Sequence, residues 1–236
     1  MSDVASEPGT ASSALTGLRP QPFAVGNPGR VLDPLIEPMW AGKRALAAID
    51  GADVELVDEH GDPVDGHTDV RAALADAASA GGLVLDGFLT KLAARDGSGV
   101  YVALDDLPTS GQLASRQLLG IRRSQTDERM KALEAERAAQ TFGPEDVVSY
   151  VAVDLLWLDG ESLLDVPLLE RRRHLESVLD ESELVRRGIY VRPPIEAWVG
   201  SWRAIGFTEL TFKAANSRYS PGTVTNEWVS VAMPRR

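Results

Sequence analysis

A chain of 236 residues with 44% hydrophobic and 25% charged side chains has the size of one generous globular domain or two small ones, and its composition excludes wholesale disorder. The absence of cysteine excludes disulfides, zinc–thiolate sites and cysteine catalysis, and the three histidines, His60, His67 and His174, are too scattered for a multi-histidine metal site. The net charge of −11, from 24 Lys and Arg against 35 Asp and Glu, argues against a DNA clamp, because counterion release rewards cations; it suits a soluble, cytoplasmic protein.

No apolar run reaches the roughly 18 residues of a membrane span. Met1–Gly17 is rich in Ser, Ala and Gly and lacks the basic start and apolar core of a signal peptide. Residues 1–20 are therefore expected to be a disordered tail, and 21–236 the folded domain. Arg19–Pro28 is a proline-rich approach. Arg44–Ile49 and Val54–Val57 predict two strands joined at Asp50-Gly51. Asp69–Ser79 has helical apolar spacing, with Thr68 placed to cap it. Gly82–Leu92 predicts a strand, paired with Val100–Leu104 across a glycine-rich turn. Gln112–Phe142 reads as mostly helical, with a charged second half expected to face solvent.

Val147–Trp157 is the strongest strand, and its near-continuous apolar run suits burial on both faces. Asp159-Gly160 ends it. Pro167–Leu179 predicts a helix with proline in its first turn. Its triplet Arg171-Arg172-Arg173 points in directions about 100° apart, so it cannot form one flat phosphate clamp and is expected to be solvated. Ile189–Val191 predicts a short strand. Ile195–Ile205 predicts a helix ended by Gly206, with Trp198 and Trp202 turned into the core. Thr208–Lys213 and Val224–Ala232 are the last strands. Hairpins mixed with separate helices give an α+β fold of two antiparallel sheets flanked by helices.

Four segments, in order, carry a family resemblance. Glu37-Pro38-Met39-Trp40-Ala41-Gly42-Lys43-Arg44 is similar to E-x-K-x-D-G-x-R. Leu85-Asp86-Gly87-Phe88 is similar to L-D-G-E. Tyr150 to Gly160, followed by Ser162 to Arg172, is close to F-D-L-L-x-L-D-G-x-S-L-x-x-x-P-L-x-E-R-R and is the most specific match. Leu210 to Lys213, Ser217 to Gly222 and Trp228 to Ala232 resemble E-G-x-V-x-K, S-x-Y-x-P-G and W-x-K-x-K. Together they resemble the adenylation domain of ATP-dependent DNA ligases, especially the bacterial end-joining type. That resemblance implies a nucleotidyltransferase (ATP-grasp-like) fold. The sequence stops four residues after Ala232, so the family's following oligonucleotide-binding barrel is not expected.

The departures bear on chemistry. The family's nucleophilic lysine aligns with Met39, and a thioether cannot hold AMP as a phosphoramidate. The following aspartate is Ala41, and the glutamate of L-D-G-E is Phe88. The adenine-stacking aromatic aligns with Val153 and the last two lysines with Ser230 and Ala232. The glutamate of E-G-x-V-x-K aligns with Thr208; Glu209, one step along a strand, is expected on the opposite face. Lys43, four residues beyond Met39, lies roughly 13 Å away along an extended chain, too far to substitute.

The resemblance leaves Glu37, Arg44, Asp86, Val153 and Lys213 as nucleotide-binding positions, with no catalytic residue and no metal ligand. No cofactor is required, although the family's ATP and Mg²⁺ remain candidate ligands. The expectation is a ligase-like pseudoenzyme that is not an enzyme but a binding module in DNA repair. Its partner would be a repair protein or a true ligase; DNA binding would be weak or absent, and no membrane is involved. The alternatives are an active ligase-type nucleotidyltransferase using a substitute lysine or a partner domain, a nucleotide-binding regulatory module, and a scaffold whose cleft is filled by Met39, Trp40 and Phe88.

Overall fold

The computed structural model describes residues 9–91, 147–204 and 206–233. The strand expected at 100–104 and the charged helix expected at 112–142 lie outside them. Ten strands are described: β1 (Phe23–Val25), β2 (Pro34–Pro38), β3 (Lys43–Asp50), β4 (Asp53–Asp58), β5 (Gly82–Thr90), β6 (Ser149–Leu158), β7 (Glu161–Ser162), β8 (Val185–Arg187), β9 (Glu209–Ala214) and β10 (Thr225–Ala232). The helices are α1 (Ala11–Leu15), α2 (Thr68–Ala77), α3 (Leu168–Val178) and α4 (Glu196–Ala204).

The strands form two sheets. A four-stranded sheet has the order β1-β10-β9-β2, and a six-stranded sheet has the order β4-β3-β5-β6-β7, with β8 also beside β6. The α+β architecture is as the sequence implies, but the sheets are not purely antiparallel. β1 runs parallel to β10, and β8 runs parallel to β6. The apolar runs at β5 and β6 form the centre of the larger sheet, where both faces are buried.

Side-chain alternation splits each sheet between two cores. On the outer face of the larger sheet, Ala45, Ala47 and Ile49 of β3 and Leu83 and Leu85 of β5 meet Val70 and Leu74 of α2 and Leu175 of α3. On its inner face, Leu46, Ala48, Val84 and Leu156 meet Leu35 and Trp228 of the smaller sheet. Ile36, Leu210, Val229 and Val231, on the outer face of the smaller sheet, pack with Val199 and Trp202 of α4. The two inner faces pack on each other and bury between them the polar groups described below, whose setting is called the inter-sheet cleft.

Several local expectations are corrected. The tail expected over residues 1–20 does not extend over its second half. Residues 11–15 are helical, and Ala11 and Leu15 are buried in the inter-sheet core. A five-residue helix has no stability of its own. It is held by Thr10, which accepts from the Ser13 N–H, and by Asp50, whose two carboxylate oxygens accept from the N–H groups of Ala11 and Ser12 at 2.8 and 2.9 Å. Thr68 is not a cap. α2 begins at Thr68 itself, preceded by His67 at φ 54° with no side-chain cap bond. Pro167 is the N-cap of α3 rather than its first residue. The strand expected at Ile189–Val191 lies earlier, as β8, and Val191 makes only an isolated bridge to Ile36.

Candidate functional site

Register fixes which side chains share the cleft face of the smaller sheet. Leu35 of β2 and Trp228 of β10 lie opposite Lys213 of β9. Glu37 and Ser230 lie opposite Thr211, and Ala232 lies opposite Glu209. Met39 follows at the end of β2, its N–H donating to the Glu209 carbonyl at 3.0 Å. Glu209, Thr211 and Lys213 therefore share one face, and Thr208, the position the resemblance gives to the glutamate, precedes the strand. The strand starts at Glu209, and steps of two return it to the side of Lys213.

Two ion pairs dominate this cleft. The Lys213 ammonium donates to Glu37 Oε2 at 2.8 Å, with 1% and 3% of their side chains exposed. It also lies 4.6 Å from the centre of the Trp228 ring, a cation–π distance. The other Glu37 oxygen, Oε1, is buried without a hydrogen-bond partner among the described residues. Arg44 of β3 grips Asp86 of β5 through two parallel bonds, from Nε at 3.0 Å and Nη2 at 2.6 Å. The Tyr219 hydroxyl donates to the same carboxylate at 2.8 Å. Burial alone would lower the Arg44 pKa, but the charge and hydrogen bonds of Asp86, with smaller contributions from Tyr219 and Glu59, together outweigh it and hold the guanidinium above its ordinary value. Burial, then the Asp86 charge, pushes Tyr219 well above the usual phenol range, so its proton stays in place to be donated.

A third pair braces the cleft wall. Arg171 of α3 donates to both oxygens of Asp154, at 2.9 and 2.7 Å, and both side chains are fully buried. Arg172 donates to the carbonyls of Val153, at 2.6 Å, and Gly188. These two arginines are not solvated as expected. Only Arg173 faces water, where it pairs with Glu170. The helix thus spends its basic run on strand β6 and leaves no cation there for a phosphate.

The sequence-predicted positions come together in part. Glu37 meets Lys213, and Arg44 meets Asp86. Val153 lies in one apolar cluster with Met39, Trp40 and Phe88. Met39 is 5% exposed, and Trp40 packs edge-on against Phe207 with ring centres 4.9 Å apart. Lys43 is not brought to this group; it lies half-exposed and pairs with Asp58 at 3.4 Å. Three further residues complete the cleft. Gln21 and Phe23 enter from the proline-rich approach, which gave no chemical signal. Tyr219 lies in the S-x-Y-x-P-G segment, whose spacing alone does not say what the hydroxyl bonds. Among the described residues no group of three acidic or histidine side chains is placed to hold a metal.

Two facing sheets with helices outside are the architecture shared with solved ligase domains. The ligase domain of Mycobacterium tuberculosis LigD superposes with a TM-score of 0.60 and 25% identity, over 90% of this chain and 58% of that one. A mycobacterial DNA ligase D complexed with ATP and MES gives 0.60 and 26%, over 90% and 59%. In sequence, the multifunctional non-homologous end joining protein LigD of Mycobacterium bovis is 28% identical over 193 residues, 82% of this chain and 21% of that protein. A DNA ligase of Thermococcus fumicolans is 35% identical over 82 residues, 33% of this chain and 15% of its own. No protein-family model matches. The chain thus spans about a fifth or less of these curated relatives' length and under two thirds of the solved ligase domains. In sequence and in fold the chain is similar to the adenylation part of ATP-dependent DNA ligases. Among the described residues no helix is long and apolar enough to cross a membrane.

Proposed function

We propose that this chain is a non-catalytic ligase-like module that does not form a covalent AMP intermediate and acts by binding, in the setting of DNA repair. The observation that carries the reading is the state of the cleft: Met39 is buried at the position the resemblance gives to the nucleophile, and Lys213, Arg44 and Arg171 are each bonded to an internal carboxylate. Adenylation requires an amine nitrogen to attack the α-phosphorus while pyrophosphate leaves and the nitrogen gives up a proton. Met39 has no such nitrogen. Lys213 Nζ is buried, bonded to Glu37 at 2.8 Å and packed 4.6 Å from the Trp228 ring centre. Lys43 faces Asp58 at the hairpin.

The residues present also fit a nucleotide triphosphate poorly. Its negative charge would have to displace Glu37 and Asp86 from their cations, leaving Glu37 buried without a partner and Asp86 with only the Tyr219 hydroxyl, which costs several kcal/mol per ion. Phe23 lies over both cations, with its ring centre 5.1 Å from the Arg44 guanidinium and 5.8 Å from the Lys213 ammonium. No cofactor is needed on this reading. On this reading the partner is a DNA-repair protein or a true ligase, in the cytoplasm, and the likeness to an end-joining DNA repair protein supports the repair setting.

The test is the intact mass of the purified protein after incubation with ATP and Mg²⁺, beside an active ligase. The expected result is an unchanged mass; an added AMP overturns the reading. A second reading, a nucleotide-binding regulatory module, is favoured by two buried polar atoms without hydrogen-bond partners among the described residues, Glu37 Oε1 and Trp40 Nε1. Saturable heat on titration with AMP, weakened by Arg44→Ala, would select it.

A further inference from the structure

The cleft holds a segment of the chain itself, and it holds that segment by its backbone. Gln21 is fully buried. Its N–H donates to the Tyr219 hydroxyl at 2.9 Å, and its carbonyl accepts from Arg44 Nη1 at 2.7 Å. Its side-chain oxygen accepts from the Ser220 N–H at 2.7 Å, and its side-chain nitrogen donates to Thr225 Oγ1 at 3.1 Å. Two residues on, Phe23 stacks on Trp228, ring centres 5.7 Å apart and planes 27° apart. β1 then pairs with the edge of β10. Backbone donor, backbone acceptor, both ends of one amide and one aromatic ring are all read in three consecutive residues.

We infer that this surface of Arg44, Tyr219, Ser220, Thr225 and Trp228 is a peptide-reading groove. Residues 20–25 occupy it in cis, and an extended partner segment with glutamine followed two residues later by an aromatic residue can take their place. The inference rests on the reading of the chain as a binding module and supplies the chemical class of its ligand. The groove suits a neutral peptide better than a phosphate. Arg44 and Tyr219 reach Gln21 with hydrogen-bonding capacity left after Asp86 is satisfied, so a peptide needs no ion pair to break. Strand addition at a sheet edge supplies main-chain bonds, and pockets for alternate side chains supply selectivity.

The resident segment is also built to leave as a unit. β1 is three residues long and has a ladder neighbour on one side only, whereas β5 is paired along both edges. Its upstream anchor is the five-residue α1, tied to Asp50. Although Gln21, Ala11 and Leu15 are buried, edge strands and chain-terminal helices open locally at a lower free energy than strands paired on both sides. Tethering gives the resident segment a high effective concentration, so a partner competes well only once the tether is weakened.

Two measurements on the full chain test this. Hydrogen exchange should show the amides of residues 9–25 exchanging well before those of β5 and β6; exchange only together with those strands overturns the inference. A labelled peptide of residues 17–26, followed by anisotropy, should bind Phe23→Ala about tenfold or more tighter than it binds the unaltered chain. The same peptide carrying Gln21→Ala should lose a similar factor. Equal binding to both proteins, or no effect of Gln21→Ala, overturns the inference. Should Phe23→Ala fail to fold, Asp50→Asn loosens the α1 anchor at a site remote from the groove and is judged by the same two outcomes. An AMP adduct on the unaltered chain would sink the non-catalytic reading and leave the peptide measurement standing.

Discussion

Arg44 and Asp86 form a buried pair whose halves differ in what they leave behind when removed. Arg44→Met strands the Asp86 carboxylate with only the Tyr219 hydroxyl. The expected loss is about 3–5 kcal/mol in denaturant unfolding, and the double change Arg44→Met with Asp86→Leu should cost less than the single one. Met39→Lys restores an amine at the resemblance's nucleophile position but places it among Trp40, Phe88 and Val153. It should destabilise the fold by roughly 3 kcal/mol and still give no AMP adduct by intact mass. As candidates only, Glu37, Arg44, Asp86, Val153 and Lys213 were legible through the family motifs. Their bonds were not, because partners such as Glu37 and Lys213 lie 176 positions apart and meet only through strand register. The same blindness explains Arg171 and Arg172. Local spacing reads three arginines in a row as a wet surface, and only the packed fold shows Asp154 and four backbone carbonyls receiving Arg171 and Arg172.

The elements most legible in the sequence are those whose signal is local. β6 announces itself by a near-continuous apolar run, and the β3–β4 hairpin by its turn residues. Elements held by distant partners are silent, as α1 shows: its anchor is a carboxylate on the far end of β3. The connection from β2 to β3 depends on Gly42, at φ 128°, where a Cβ would sit 2.0 Å from the Leu89 carbonyl oxygen. Gly42→Ala should therefore cost more than the usual 1 kcal/mol for a glycine change and lower the unfolding midpoint measurably. The turn after β4 carries a pH dependence. Burial would raise the Asp58 pKa, but the N–H groups of Asp62 and His60 and the Lys43 ammonium hold it below its ordinary value. The folded state thus binds that proton less readily than the unfolded chain. The stabilisation is complete above the ordinary carboxylate range and is lost as pH falls through the lower folded value. The stability difference between the unaltered protein and Asp58→Asn should be constant near neutrality and shrink in acid.

At the scale of the whole molecule, the inter-sheet core joins two sheets that exchange few backbone bonds. Leu156→Ala, at the inner face of the larger sheet, should cost about 2–5 kcal/mol and lower a single cooperative transition rather than split it. That the fold is α+β, with two sheets and helices outside, was legible from element order and motif order together. The parallel placement of β1 and β8 was not, because a three-residue strand carries too short a pattern to declare its partner or its direction. The three buried ion pairs have a further consequence for how the molecule meets charged solutes. Each pair cancels within a few ångströms, so the cleft projects the short-ranged field of dipoles, and a polyanion diffusing nearby is steered by the net charge of −11 instead. Encounter with nucleic acid should be slow at low ionic strength and quicken as salt screens that repulsion, opposite in sign to the kinetics of a protein that draws DNA in.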